Sequence, residues 1–167
     1  MEVFDAVRTL MAVRSYRKKP VPAESVQRIV EAGRLTGSSM NGQPWHFIVV
    51  EDPAVLQELG ALARTGPYVA QAALAVVVAV ERTKYAISDA SRAIQSMMLT
   101  AWADGIGSNW VGFLGPAQVK TLLGVPDDLD VLAIVPFGYP AKTIRGRKRR
   151  KVRSQVVHRE RFGQPFD

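Results

Sequence analysis

The chain of 167 residues contains no cysteine and two histidines, His46 and His158. Without thiols it has neither a disulfide framework nor a thiolate metal site, which is compatible with a reducing compartment. Two imidazoles so far apart in sequence suggest no metal cluster. Long hydrophobic runs are also missing. The longest, Ala72 to Val80, falls well short of the roughly 20 residues of a membrane-spanning helix. The N-terminus carries Glu2 and Asp5 and lacks the apolar stretch of a signal peptide, so a soluble, cytoplasmic protein is expected. There is no credible Ser-His-Asp set and no pair of catalytic carboxylates, so no catalytic side chain is assigned.

Acidic residues are scarce in one place. Between Lys142 and Arg161 ten Lys or Arg stand against Glu160 alone, a net +9, whereas the first 141 residues hold 12 basic and 13 acidic side chains, a net −1. The basic excess is confined to a C-terminal arm, residues 142–167, and such a run reads as a solvated tail, a phosphate grip or a polyanion contact. Base-stacking aromatics are missing from the run Arg145 to Arg153. Single-strand recognition is therefore disfavoured, and only nonspecific phosphate contact stays open.

What is present is enough for one core: 47% hydrophobic residues in a length that suits one domain, 1–167. Phe4, Val7, Leu10 and Met11 recur at helical spacing and predict an amphipathic helix over Val3 to about Ala12. A second helix starts near Ala23 and ends near Gly37, a third carries Val55, Leu56, Leu59 and Leu62 behind Pro53, and Leu74 to Val80 reads as a strand buried on both faces. Ser88 or Asp89 is expected to cap a long helix with Ala90, Ile94, Met97, Met98 and Ala101 inward. Gly105 to Gly115 reads as a glycine-rich turn into a strand, Pro116 to Leu123 as a short helix and Val131 to Phe137 as a strand. The expected class is α+β, a three-layer α-β-α sandwich around a mostly antiparallel sheet.

Three stretches carry the candidate chemistry. Ser38 to Val50, SSMNGQPWHFIVV, passes from hydroxyl and amide groups through Pro44 into an apolar strand. Ser38, Ser39, Asn41 and Gln43 both donate and accept, which suits the edge of a planar heterocycle, although composition alone describes an ordinary loop before a core strand. Arg14, Ser15 and Arg17 put two guanidinium forks and a hydroxyl within four residues, fit for a phosphate or an anionic ring, or simply a polar loop with solvated arginines. The arm supplies the third stretch.

The segment S-S-x-N-x-Q-P-W-H-F-I-V is similar to the one that nitroreductase-family flavoproteins use to line FMN. V-R-S-Y-R-K resembles the family's R-R-S-x-R-K, with Val13 in place of the first arginine. K-R-R-K-V-R-S-Q-V-V-H resembles its K-x-R-x-P-L-E-E-V-V-H, with Val152 and Arg153 replacing proline and leucine. The resemblance spans Val13 to Phe162. It implies that Arg14 and Ser15 hold the FMN phosphate, that Arg17 lies near the flavin pyrimidine edge, and that Lys148 and Arg150 close over the phosphate. It also implies that the backbone N–H of Gly112 meets flavin N5, with Trp110 and Val111 alongside. Ser38, Ser39, Asn41 and Gln43 would come from the other subunit of a homodimer. The implied activity is electron transfer from NADH or NADPH through FMN to a small acceptor such as a nitroaromatic or quinone, in ping-pong fashion. The connection from Val80 to Ser88 is shorter than in relatives that cover the substrate side there. A flavin storage or sensor module, or a polyanion-binding protein acting through the arm, are the competing readings.

Overall fold

A computed structural model describes residues 1–112, 115–144 and 146–166. Phe113, Leu114, Arg145 and Asp167, which the sequence reading placed after Gly105 and in the arm, lie outside the described residues. Four strands, β1 (Trp45–Val50), β2 (Leu74–Glu81), β3 (Gly107–Ser108) and β4 (Leu129–Gly138), form one sheet in the order β1-β2-β4-β3. All three named pairings are antiparallel.

β2 sits in the middle, with Val77 opposite both Ile48 and Ile134. Because side chains alternate along a strand, Leu74, Val76, Val78 and Val80 enter one core while Ala75 and Val77 enter the other. The first core is roofed by α2 (Ala23–Arg34) and α4 (Ala86–Ala103), and the second by α3 (Pro53–Leu62) and α5 (Pro116–Leu123). The expected three-layer sandwich is therefore present. β1 divides by strand alternation: Trp45 and Phe47 go to the α4 side, Ile48 and Val50 to the other.

Three local expectations are corrected. The first helix, α1 (Val3–Thr9), is shorter than expected, and it buries Ala6 while its larger apolar residues face outward: Val3 and Phe4 are 76% and 74% exposed. α4 begins after Tyr85 with no side-chain cap, because the Asp89 carboxylate bonds to Ser39 and Arg92 instead of its own helix end. The strand after Gly105 is only two residues long. It ends where the chain leaves the ladder, and Val111 then rejoins Ile134 as an isolated bridge.

Candidate functional site

Residues 12–17 leave α1 and run along the sheet edge. The Val13 amide donates to the Ser108 carbonyl at 2.9 Å, the Arg17 amide to the Tyr139 carbonyl at 2.8 Å, and the Ala141 amide to the Ser15 carbonyl at 3.0 Å. Two glycines allow this close approach. A Cβ at Gly107 would overlap the Val13 side chain, and one at Gly138 would come within 2.9 Å of the Tyr16 ring. Val13 and Tyr16 are buried, which turns Arg14, Ser15 and Arg17 out to solvent. The Tyr16 hydroxyl donates to the Val13 carbonyl at 2.8 Å. Burial, with the neighbouring Tyr68, pushes its pKa far up, so it stays a neutral donor. Arg17 Nε donates to the Pro140 carbonyl at 2.9 Å, and the side chain is exposed. At position 13, where the resembling signature has an arginine, the structure buries a valine. No charge is available there.

Trp110, Val111 and Gly112 follow β3 and therefore border the same edge. Val111 exchanges two 2.9 Å backbone hydrogen bonds with Ile134 and its side chain is buried, so both its main chain and side chain are occupied within the protomer. Gly112 is exposed, and a Cβ there would come within 2.9 Å of Trp110 Nε1. Next to them, the Ser108 hydroxyl is buried without a hydrogen-bond partner.

The loop 38–43 is built elsewhere. The Gln43 amide donates to Ser38 Oγ at 3.0 Å, and Gln43 Nε2 to the Asn41 carbonyl at 3.2 Å. The Ser39 amide and hydroxyl each donate to the Asp89 carboxylate at 3.0 Å. Met40, Asn41 and Gln43 have φ of 51°, 57° and 49°, a left-handed conformation that side chains disfavour. Strain of this kind collects where a structure holds groups for a purpose.

The arm returns to α1. Lys148 donates to the Val7 carbonyl, and burial followed by the nearby Arg150 lowers its pKa. Arg150 is exposed and donates to the Arg149 carbonyl at 2.8 Å. Arg8, Arg147 and Lys148 line a cavity of about 420 Å³ together with Thr9 and Trp102. Arg8 and Arg147 were not singled out from the sequence. Arg8 lies outside the R-S-x-R spacing, and one cation among many in the arm carries no signal of its own.

Two groups of candidates are thus assembled, and α4 separates them. Trp102 Nε1 donates to Thr9 Oγ at 2.9 Å near one end of α4, beside the 12–17 segment and the arm, while Ser39 is tied to Asp89 near the other. Thirteen residues of helix between positions 89 and 102 amount to about 20 Å. Arg14, Ser15, Arg17 and Lys148 lie with α1 and the end of β4, while Val111, paired with Ile134, sets Trp110 and Gly112 beside the middle of β4. Ser38, Ser39, Asn41 and Gln43 are grouped at the Asp89 end of α4.

The model of the Nitroreductase family matches residues 7–83 and 67–139. A protein of Archaeoglobus fulgidus with the provisional name NADH dehydrogenase/NAD(P)H nitroreductase is 32% identical over 149 residues, covering 83% of this chain and 86% of its own. The FMN reductase [NAD(P)H] of Bacillus subtilis is 26% identical, covering 96% of this chain and 74% of its own length. Among solved structures, an FMN-dependent nitroreductase of Clostridium difficile superposes with a TM-score of 0.86 at 25% identity, over 95% of this chain and 99% of that one.

Proposed function

The chain belongs to the nitroreductase family, and from that premise we propose that it is an FMN-dependent oxidoreductase that takes electrons from NADH or NADPH and passes them to a small acceptor. Two relatives carry FMN in their names. The donor set fits that group. Exposed guanidinium groups and an ammonium suit a phosphate, and a strained loop of hydroxyl and amide groups suits the edge of a heterocycle. Gly112 leaves exposed main chain beside the Trp110 indole, which a Cβ would crowd.

Bound in the site, the flavin would supply acceptance of hydride from the reduced nicotinamide and its later delivery to the acceptor, in two alternating half-reactions. The chain's own residues bind and orient. Arg14 and Ser15, joined by Lys148 and Arg150 from the arm, would hold the phosphate. Arg17, fixed through its Pro140 contact, would set a positive charge near the pyrimidine edge. Trp110 and Gly112 would flank the ring, and Val111 would support them from the core. Ser38, Ser39, Asn41 and Gln43 would complete the hydrogen bonding.

The observation that carries the reading is the separation along α4. The two anchors on α4, Asp89 at the loop and Trp102 at Thr9, stand about 20 Å apart along the helix, which supports a site in which a second copy brings its loop to the first copy's arginines. The reading therefore includes a homodimer with two equivalent sites. The exposed apolar face of α1 and Met40, 89% exposed in the loop itself, are surfaces such a pairing would cover. Only Arg82 to Tyr85 separates β2 from α4, which leaves the site without a lid from this connection and widens the range of acceptors it would take, nitroaromatics and quinones among them. A pyridine-nucleotide donor is consistent with work in the cytoplasm, by one domain whose basic arm adds Lys148 and Arg150 to its own Arg14 and Ser15.

Anaerobic mixing of the FMN-loaded protein with NADH and with NADPH tests the reading. Prompt bleaching of the flavin band by one of them is expected. A flavin band that neither bleaches would identify a storage or sensor module instead.

A further inference from the structure

Asp89 is 1% exposed, and its carboxylate is the most deeply buried charge among the described residues. Burying a charge is costly unless hydrogen bonds replace its water. Here the partners are the Ser39 amide and hydroxyl, each at 3.0 Å from across 50 residues of sequence, and the guanidinium of Arg92 one turn further along α4. None of these bonds caps the helix that carries the carboxylate.

An ionised carboxylate can only accept, so the hydroxyl hydrogen of Ser39 is committed to Asp89. A serine oxygen has one hydrogen to give; with that spent, the side chain can offer only lone pairs to anything else. We propose that Asp89 is a positioning residue for the loop 38–43, and that by taking the Ser39 hydroxyl hydrogen it turns Ser39 into a pure acceptor that recognises an N–H or O–H group of the flavin. The inference rests on the reading of that loop as part of the flavin site.

The anchor also accounts for the loop's conformation. Met40, Asn41 and Gln43 are all left-handed within four residues and directly follow the anchored serine. Among the described residues the loop's other hydrogen bonds are short-range, to Ser38, Ser39 and Asn41, so the Ser39–Asp89 contact is what ties it to the rest of the fold. Arg92 keeps the carboxylate ionised and thereby keeps the direction of the hydrogen bond.

Asp89→Asn preserves the shape and reverses the polarity, since the new amide can donate to Ser39 and free the serine hydrogen. Three variants, Asp89→Asn, Ser39→Ala and the double, are compared with the wild-type chain by FMN titration and by hydrogen exchange of the Ser39 amide in the flavin-free protein. Each single variant should weaken FMN by about tenfold, and the double should be no weaker than the worse single, because both act through one bond. The Asn oxygen can still accept from the Ser39 N–H but without the charge that strengthens the bond, so the Ser39 amide should exchange several-fold faster in Asp89→Asn while the β2 and β4 amides stay protected. Unchanged FMN affinity in Asp89→Asn, or losses that add in the double, would overturn the proposal. So would a general loss of core protection with the affinity of the folded fraction intact, which is what a merely structural role produces. If the wild-type chain takes up no FMN, the flavin reading fails on its own, and the exchange measurement still decides whether Asp89 holds the loop.

Discussion

Val13 lies on Gly107 with no room for a Cβ between them. This contact, with the 2.9 Å bond from the Val13 amide to Ser108, clamps the start of the Arg14-Ser15-Arg17 segment to the sheet edge. Gly107→Ala must push Val13 out, and overpacking of this kind costs about 1–3 kcal/mol. The stability loss should come with weaker flavin binding, measured by denaturation and titration of the same sample. A variant with wild-type values for both would show that the segment does not depend on this clamp.

Arg17 is held by Pro140 and carries a guanidinium into the proposed site. Replacing it with Gln removes a positive charge from the pyrimidine edge, where negative charge grows on reduction. The flavin midpoint potential of Arg17→Gln should fall, as measured by spectroelectrochemical titration. An unchanged potential would take the residue out of that role.

Phe4 is 74% exposed on α1, beside Val3 and Val7. Phe4→Glu places a charge on the face that pairing of two chains is expected to cover, and should shift the sedimentation pattern from dimer towards monomer with loss of bound FMN. Wild-type protein that sediments as a monomer with FMN bound would contradict the two-chain site.

The Asp89 carboxyl has a sign-definite effect of pH. Burial raises its pKa, but the Ser39 hydrogen bonds and Arg92 outweigh burial and hold it below the ordinary carboxylate value. A group whose pKa is lower folded than unfolded contributes stability above the unfolded value, about 3.9, and loses it as pH falls through the folded one. The stability gap between wild type and Asp89→Asn should therefore be flat from about pH 5 to 8 and shrink below about pH 4. Chemical denaturation across that range measures it; a gap that widens in acid would reverse the assignment.

Much of the fold was legible because its signals are local. The valine run of β2 has no polar interruption, so it could only be a strand covered on both faces, and Pro53 and Pro116 mark the helix starts where they occur. The apolar stripe of α1 was legible as a stripe but not as a surface, because periodicity shows that a face is apolar without showing what covers it. Asp89 was misread as a cap for the same reason: its partner, Ser39, lies 50 residues away. In the site, the residue types of Arg14, Ser15, Arg17 and the loop 38–43 could be read from motif spacing. Their placement at opposite ends of α4 could not, since it depends on how helix and sheet edge pack. Lys148 was named by its place in a motif, whereas Arg8 and Arg147, which share its cavity, became visible only in three dimensions.

The central claim is that one chain's arginine segment and another chain's loop make a single site. Mixing two variants, Arg14→Gln and Asn41→Ala, tests it most directly, after unfolding and refolding the two together so that chains assort at random. Each variant alone should bind FMN poorly. In a mixed dimer one site receives both defects and the other neither, so about one quarter of the wild-type number of tight sites should return. No recovery beyond the sum of the separate variants would mean that each chain builds its site alone, and would contradict the account.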